Sequence, residues 1–246
     1  MQADAADEAI LVEPLSPAVG LEIKGVVPDD LTDEQIAMLR DLWQVGGTLL
    51  FRGCERPARG AAALARILAG DTLITVSASV PGGTEWSMVG ADAPGSLPLV
   101  CVVATRTPDL PALNLAGMEA AADSLRLVDS NLLAEAQALH FAHSLDGPML
   151  AVLQQHPISG ATVLYPPPRR AAGKDSVALA LVRTAEEPQF AYRHVWQPGD
   201  VLAWDPRAVR SMWDNAPAED AAAFSVVRSA TDAQLPATAP EWEMPL

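Results

Sequence analysis

The chain has 246 residues, 50% of them hydrophobic, with 16 basic against 31 acidic side chains and a formal net charge of -15. That is ample apolar surface for a packed core, which excludes disorder as the dominant state. The acidic balance repels phosphate backbones and anionic headgroups, which argues against nucleic acid or a membrane surface as partner.

The only cysteines, Cys54 and Cys101, lie far apart with no C-x-x-C, so neither a disulfide scaffold nor a zinc ribbon is written here. The N-terminus, MQADAADEAI, lacks a basic start followed by an apolar run, and no apolar run approaches the roughly 18 uncharged residues of a membrane span. A cytoplasmic protein is the expectation. Residues 1–9 read as an acidic tail. Leu11 to Ile23 carry a first strand pair, broken by Pro14, Pro17 and Gly20. Thr32 and Gln35 form a capping box, followed by Ile36, Leu39, Leu42 and Trp43 at helical spacing, and Gly46-Gly47 ends that helix. TLLFR at 48–52 is an apolar strand of the kind buried on both faces.

Residues 58–69 are Ala-rich and helical in pattern. Leu73–Val80, Trp86–Met88 and Leu97–Ala104 read as strands, residues 115–145 as a helical stretch, and 175–187 as a helical hairpin. Strands resume in MLAVLQQ, ATVLY, FAYRHVW, DVLAWD and AFSVVRSA, before a Pro/Ala-rich tail at 232–246. Many short strands with a few helices predict an α+β, mainly β, single domain.

Three strings carry more. PLSPAVGLEIKGV runs on to LTDEQIAMLRDLWQVGGTLLFRG; HPISGATVLY occupies 156–165; YRHVWQPGDVLAWDPRA occupies 192–208. In this order and spacing the chain resembles the TauD/TfdA family of iron(II)/2-oxoglutarate dioxygenases, from about Leu15 to about Thr231. The resemblance implies a double-stranded β-helix, a cupin-like jelly-roll barrel with flanking helices.

It also implies a 2-His-1-carboxylate iron site, and this sequence departs from it. Where the family has W-H-x-D, the chain reads Trp86-Ser87-Met88-Val89, so Ser87 replaces the first His and Val89 the carboxylate. After Trp204-Asp205-Pro206-Arg207, Ser211 stands where the second His is expected. The Arg that anchors 2-oxoglutarate falls on Phe224, or is Arg228 itself, and Ala112 takes the accompanying Thr position. Neutral hydroxyls and an alkyl group are poor or null iron ligands. The expectation is therefore no metal and no cofactor.

The candidate lining of the vacated site is Ser87, Val89, Ser211, Phe224 and Arg228, with Trp86 and Trp213 beside it. Arg228 suits an anionic substrate group, or pairs with a carboxylate at the rim. Glu85 is a candidate general base, or a solvated surface residue. Ser87 and Ser211 lack a His placed as their base. His140 and His143, three apart on the expected helix, form a weak alternative metal pair. His156, His194, Asp205 and Arg207 read as scaffold. Three functions follow: a non-oxidative cyclase-, isomerase- or lyase-type enzyme on a small-molecule intermediate of bacterial metabolism; a non-catalytic protein binding a small molecule or partner; or an oxygenase with substitute ligands. A homo-oligomer is compatible with each.

Overall fold

Two strands open the part of the chain that the structure, a computed structural model, describes: residues 10–69, 74–79, 85–90, 100–104, 111–142, 149–167 and 172–214. Strands β1 (Leu11–Pro14) and β2 (Leu21–Lys24) pair antiparallel, as expected. Helix α1 (Asp33–Gly46) begins at Thr32, whose hydroxyl accepts the Gln35 N–H while the Gln35 side chain returns to the Thr32 N–H. It ends at Gly47, left-handed at φ 58°, whose N–H reaches the Trp43 carbonyl. The glycine reverses the chain directly into β3 (Thr48–Phe51), buried on both faces as its apolar run requires.

Helix α2 (Pro57–Ala69) precedes β4 (Ile74–Ser79), β5 (Glu85–Gly90) and β6 (Val100–Ala104). Then come β7 (Leu113–Gly117), α3 (Met118–Val128), α4 (Ser130–Ala136) and β8 (His140–Ala142). Short strands β9 (Met149–Ala151), β10 (Leu153–Gln155) and β11 (Thr162–Leu164) lead to α5 (Ser176–Ala185) and a 3₁₀ turn at Pro188–Phe190. The described chain closes with β12 (Ala191–His194), β13 (Val201–Trp204) and β14 (Val209–Trp213).

A seven-stranded sheet runs β1-β2-β3-β13-β6-β5-β4, antiparallel except for the parallel β2–β3 pair. A second, antiparallel sheet runs β12-β7-β14. Alternation along the strands splits the core into layers. Leu49, Phe51, Val201, Ala203 and Val102 pack with Leu39 and Trp43 of α1 and Leu64 of α2. On the opposite face, Leu50, Leu202 and Trp204 pack with Leu113, Leu115 and Val209 of the second sheet. Behind that sheet, α3, α4 and α5 close a third cluster around Met118, Leu125 and Leu181. Each fully buried leucine contributes about 1.5–3 kcal/mol by removal from water.

The sequence expectations need three corrections. The helical stretch expected at 115–145 is strand β7, two helices and strand β8, because residues 113–117 bond to β12 on one side and β14 on the other. The hairpin expected at 175–187 is one helix followed by the 3₁₀ turn. Strand β14 has no counterpart among the strands the sequence predicts. In coarse form the fold is the α+β arrangement of facing antiparallel sheets; among the described residues these do not hydrogen-bond into a closed barrel. The expected strand at 223–230 and both expected tails lie outside the described residues. No described helix is long and apolar enough to cross a membrane.

Candidate functional site

Two buried polar clusters punctuate the apolar layers. The first grows from the end of β13. Asp205 follows four fully buried residues and fixes its own backbone: its N–H donates to the Gly47 carbonyl at 2.8 Å, and its carbonyl accepts the N–H groups of Ala208 and Val209. Its side chain is 1% exposed and accepts four bonds. The Arg207 N–H and Nε–H donate at 2.8 Å each, the Arg207 Nη2 makes a closer contact, and His156 Nε2–H donates at 3.1 Å. Burial pushes the Asp205 carboxyl up, but the Arg207 and His156 hydrogen bonds outweigh it and hold the group below the usual carboxylate range.

His156 reaches Asp205 from the turn between β10 and β11. Its other nitrogen, Nδ1, accepts the Ser159 N–H at 3.2 Å and lies 3.0 Å from the Ser159 hydroxyl. The ring proton therefore belongs on Nε2, facing the carboxylate. Beside this cluster is a cleft of about 60 Å³, lined among others by Gln44, Val45, Gly117, Glu119, Ile158 and Ser159. That volume holds roughly two waters, far below the roughly 300 Å³ at which drug-sized ligands are enclosed.

The second cluster lies at the other end of β13. Asp200, with no exposed surface, accepts Arg52 Nη1 at 3.0 and 3.2 Å and the Gln197 N–H at 2.9 Å. His194 Nε2 is 3.1 Å from Asp200 Oδ2 but off the line a hydrogen bond needs. The Tyr192 hydroxyl lies 3.2 Å from His194 Nδ1, and the Trp196 ring meets the His194 ring edge-on at 4.4 Å. Burial raises the Tyr192 phenol, keeping it a neutral hydrogen-bonding group. Cys54, buried nearby, is pushed up to about 11 by burial and by the Asp29 and Asp200 charges, so its thiol is inert at neutral pH.

The expected site residues divide between the two sheets. Ser211 on β14 pairs with Leu115 and is buried, on the same face as Val209, between the sheets. Ala112 is buried just before β7. Glu85, Trp86, Ser87 and Val89 lie along β5, with Ser87 opposite Val102, Met88 opposite Cys101 and Val89 opposite Val100. Only the backbone of 85–90 is described, so the expected convergence of the Ser87 and Val89 side chains with Ser211 lies outside the described residues. Trp213 closes β14 opposite Leu113. Phe224, Arg228 and His143 lie outside the described residues. His140 is on strand β8, not on a helix, so the helical spacing proposed for a metal pair does not exist. Among the described residues no three His, Cys, Asp or Glu side chains converge as a metal site.

His156, Asp205, His194 and Arg207 read as scaffold in the sequence, where nothing links one to another. His156 and Asp205 are 49 positions apart, and no periodicity announces such a contact.

No family model matches the chain, and no curated protein matches it. Solved structures do. AAD-2 in complex with Mn(II) and N-oxalylglycine is similar at a TM-score of 0.65 and 18% identity, over 86% of this chain and 93% of that one. A taurine dioxygenase from Burkholderia xenovorans is similar at 0.59 and 23% identity, over 83% of each chain. A Burkholderia xenovorans protein assigned as an alpha-ketoglutarate dependent 2,4-D dioxygenase is similar at 0.61 and 20% identity, over 82% of this chain and 90% of that one. The structural neighbours are thus TauD/TfdA-type dioxygenases, and at these identities the likeness is one of fold.

Proposed function

We propose that this chain keeps a dioxygenase-like fold but performs a non-oxidative, metal-independent step on a small-molecule intermediate. The observation that carries the reading is Ser211. It is a buried serine on the inter-sheet face of β14, at the position where the resemblance expects an iron-binding His. With Ser87 and Val89 at the other two positions, the donor set is two neutral hydroxyls and an isopropyl group, which does not fit iron(II). Without iron nothing holds the keto-acid end of 2-oxoglutarate, and an Ala112 in place of Thr adds no polar contact.

What such an interior offers is shape and dryness. A substrate held in one reactive conformation, away from water, needs only one or two polar groups for a cyclisation, isomerisation or elimination. Arg228 is assigned to an anionic substrate group and Glu85 to proton transfer. Arg228→Met, which keeps stem volume and removes charge, is expected to abolish turnover or binding with little change in melting temperature.

The reading is tested by metal analysis of the purified protein and by melting with iron(II) and 2-oxoglutarate. A ligand at about 100 times its Kd stabilises the folded state by roughly 2.7 kcal/mol, which for a chain of this size raises Tm by about 5–10 °C. We expect no stoichiometric iron and no shift. A clear upward shift with both additives overturns the reading in favour of an oxygenase with substitute ligands.

A further inference from the structure

Away from the inter-sheet interior, the turn between β10 and β11 places a serine, a histidine and an aspartate in line. Ser159 is exposed. Its hydroxyl lies 3.0 Å from His156 Nδ1, the ring nitrogen left without a proton because the ring N–H is on Nε2, and the same Nδ1 accepts the Ser159 N–H at 3.2 Å. That N–H donates to Asp205 at 3.1 Å, and Arg207 holds Asp205 as a buried carboxylate. A hydroxyl touching a base that a third group orients is the arrangement that activates a serine nucleophile. Here Nδ1 faces the hydroxyl and Nε2 the acid, and either ring nitrogen can accept the proton while the other keeps its own.

Two further features converge on the same spot. His156, Ile158 and Ser159 line the cleft of about 60 Å³, which is open enough for a short acyl chain and too small for a large one. Gly117 and Glu119 line it as well, and α3 starts at Gly117 without a side-chain cap. The first turn of that helix therefore borders the cleft, with its Met118 N–H taken by the Ala208 carbonyl at 2.9 Å.

We propose that Ser159 is a nucleophile that accepts a short acyl group from an activated ester or thioester, independently of whatever the interior does. The Ser159 Oγ forms a bond to the carbonyl carbon as its proton passes to His156 Nδ1. The tetrahedral adduct collapses by breaking the bond to the leaving alkoxide or thiolate, which takes that proton. Water then cleaves the acyl-serine by the same proton path in reverse, releasing the carboxylic acid and restoring Ser159.

The test uses the folded full-length protein and p-nitrophenyl acetate, with release of p-nitrophenolate, intact mass and peptide mapping as readouts. One acetyl group on Ser159 is expected, with release falling on the order of 100-fold in Ser159→Ala and in His156→Gln. Ser159→Cys should keep the adduct, and circular dichroism checks the fold of each variant. Ser159 is exposed, so its replacement leaves the core intact and keeps the test decisive. Release no faster than in buffer with no acid-quenched adduct on the folded protein, an adduct only on Lys24 or Lys174, or an undiminished rate in Ser159→Ala overturns the proposal. None of these outcomes touches the metal-binding test of the interior.

Discussion

Replacing Asp205 by alanine removes the acceptor of four donors at once: the His156 Nε2–H and the N–H, Nε–H and Nη2–H of Arg207. A stranded buried donor costs about 1–3 kcal/mol. A plain sum overshoots, because the Arg207 side chain keeps 14% exposure and can turn part of its guanidinium to water. Breaking one partner out of a buried ion pair costs about 3–5 kcal/mol, and about 4 kcal/mol is the figure this geometry supports. At 2–4 °C per kcal/mol for a chain of this size, Tm should fall by about 8–16 °C. That is a large share of the roughly 5–15 kcal/mol that hold a domain together. Urea melts followed by circular dichroism measure it. Adding Arg207→Met to Asp205→Ala should cost less than the two single losses combined, because no stranded cation remains. A loss under about 1 kcal/mol for Asp205→Ala, or strict additivity in the double variant, refutes the reasoning.

The same carboxylate sets an acid limit. Its folded pKa is below that of the unfolded chain, so its stabilisation is complete above about pH 4 and disappears as pH falls through the lower folded value. Urea midpoints should drop below pH 4, and Asp205→Asn should flatten that decline. At Gly117 an added Cβ would lie 2.1 Å from the Ala18 carbonyl oxygen, a backbone atom that cannot swing aside, so Gly117→Ala should cost about 1–3 kcal/mol in a thermal melt. Cys54, with its thiol raised to about 11, should resist a thiol reagent at pH 8 in the folded protein and react promptly in urea.

What the sequence announced, it announced through local chemistry. Thr32, Gln35 and Gly47 carry their capping roles within a few positions, and the apolar run at 48–51 is readable as a doubly buried strand without knowledge of its neighbours. Strand β7 was not readable in the same way. Leu113, Asn114 and Leu115 give one period of alternation before an alanine-rich run with strong helical preference, and what makes them a strand is pairing with residues about 75 to 100 positions away. His140 reads as helical for the same reason. Ser211 was legible as a site residue only through the likeness to a known family, since nothing in V-R-S-M-W marks it. The His156–Asp205 link was illegible because both residues lie in strings that look like scaffold, and only the folded chain brings them within 3.1 Å.

The middle strand of the seven-stranded sheet is β13, supplied by residues 201–204 between β3 and β6. During synthesis, β3 and β6 emerge well before it, each with one edge waiting for a partner that is still about 100 to 150 residues of chain away. Until Val201–Trp204 arrive, those two apolar edges are open to pairing with each other or with a neighbouring chain. The nascent protein is thus most vulnerable to aggregation late, after most of its mass has been made. Such a non-local closing step makes folding slow relative to chains built from neighbouring hairpins. A chain stopped just short of residue 201 should be captured by chaperones or form inclusion bodies, whereas one extended past β13 has a completed sheet to fold around.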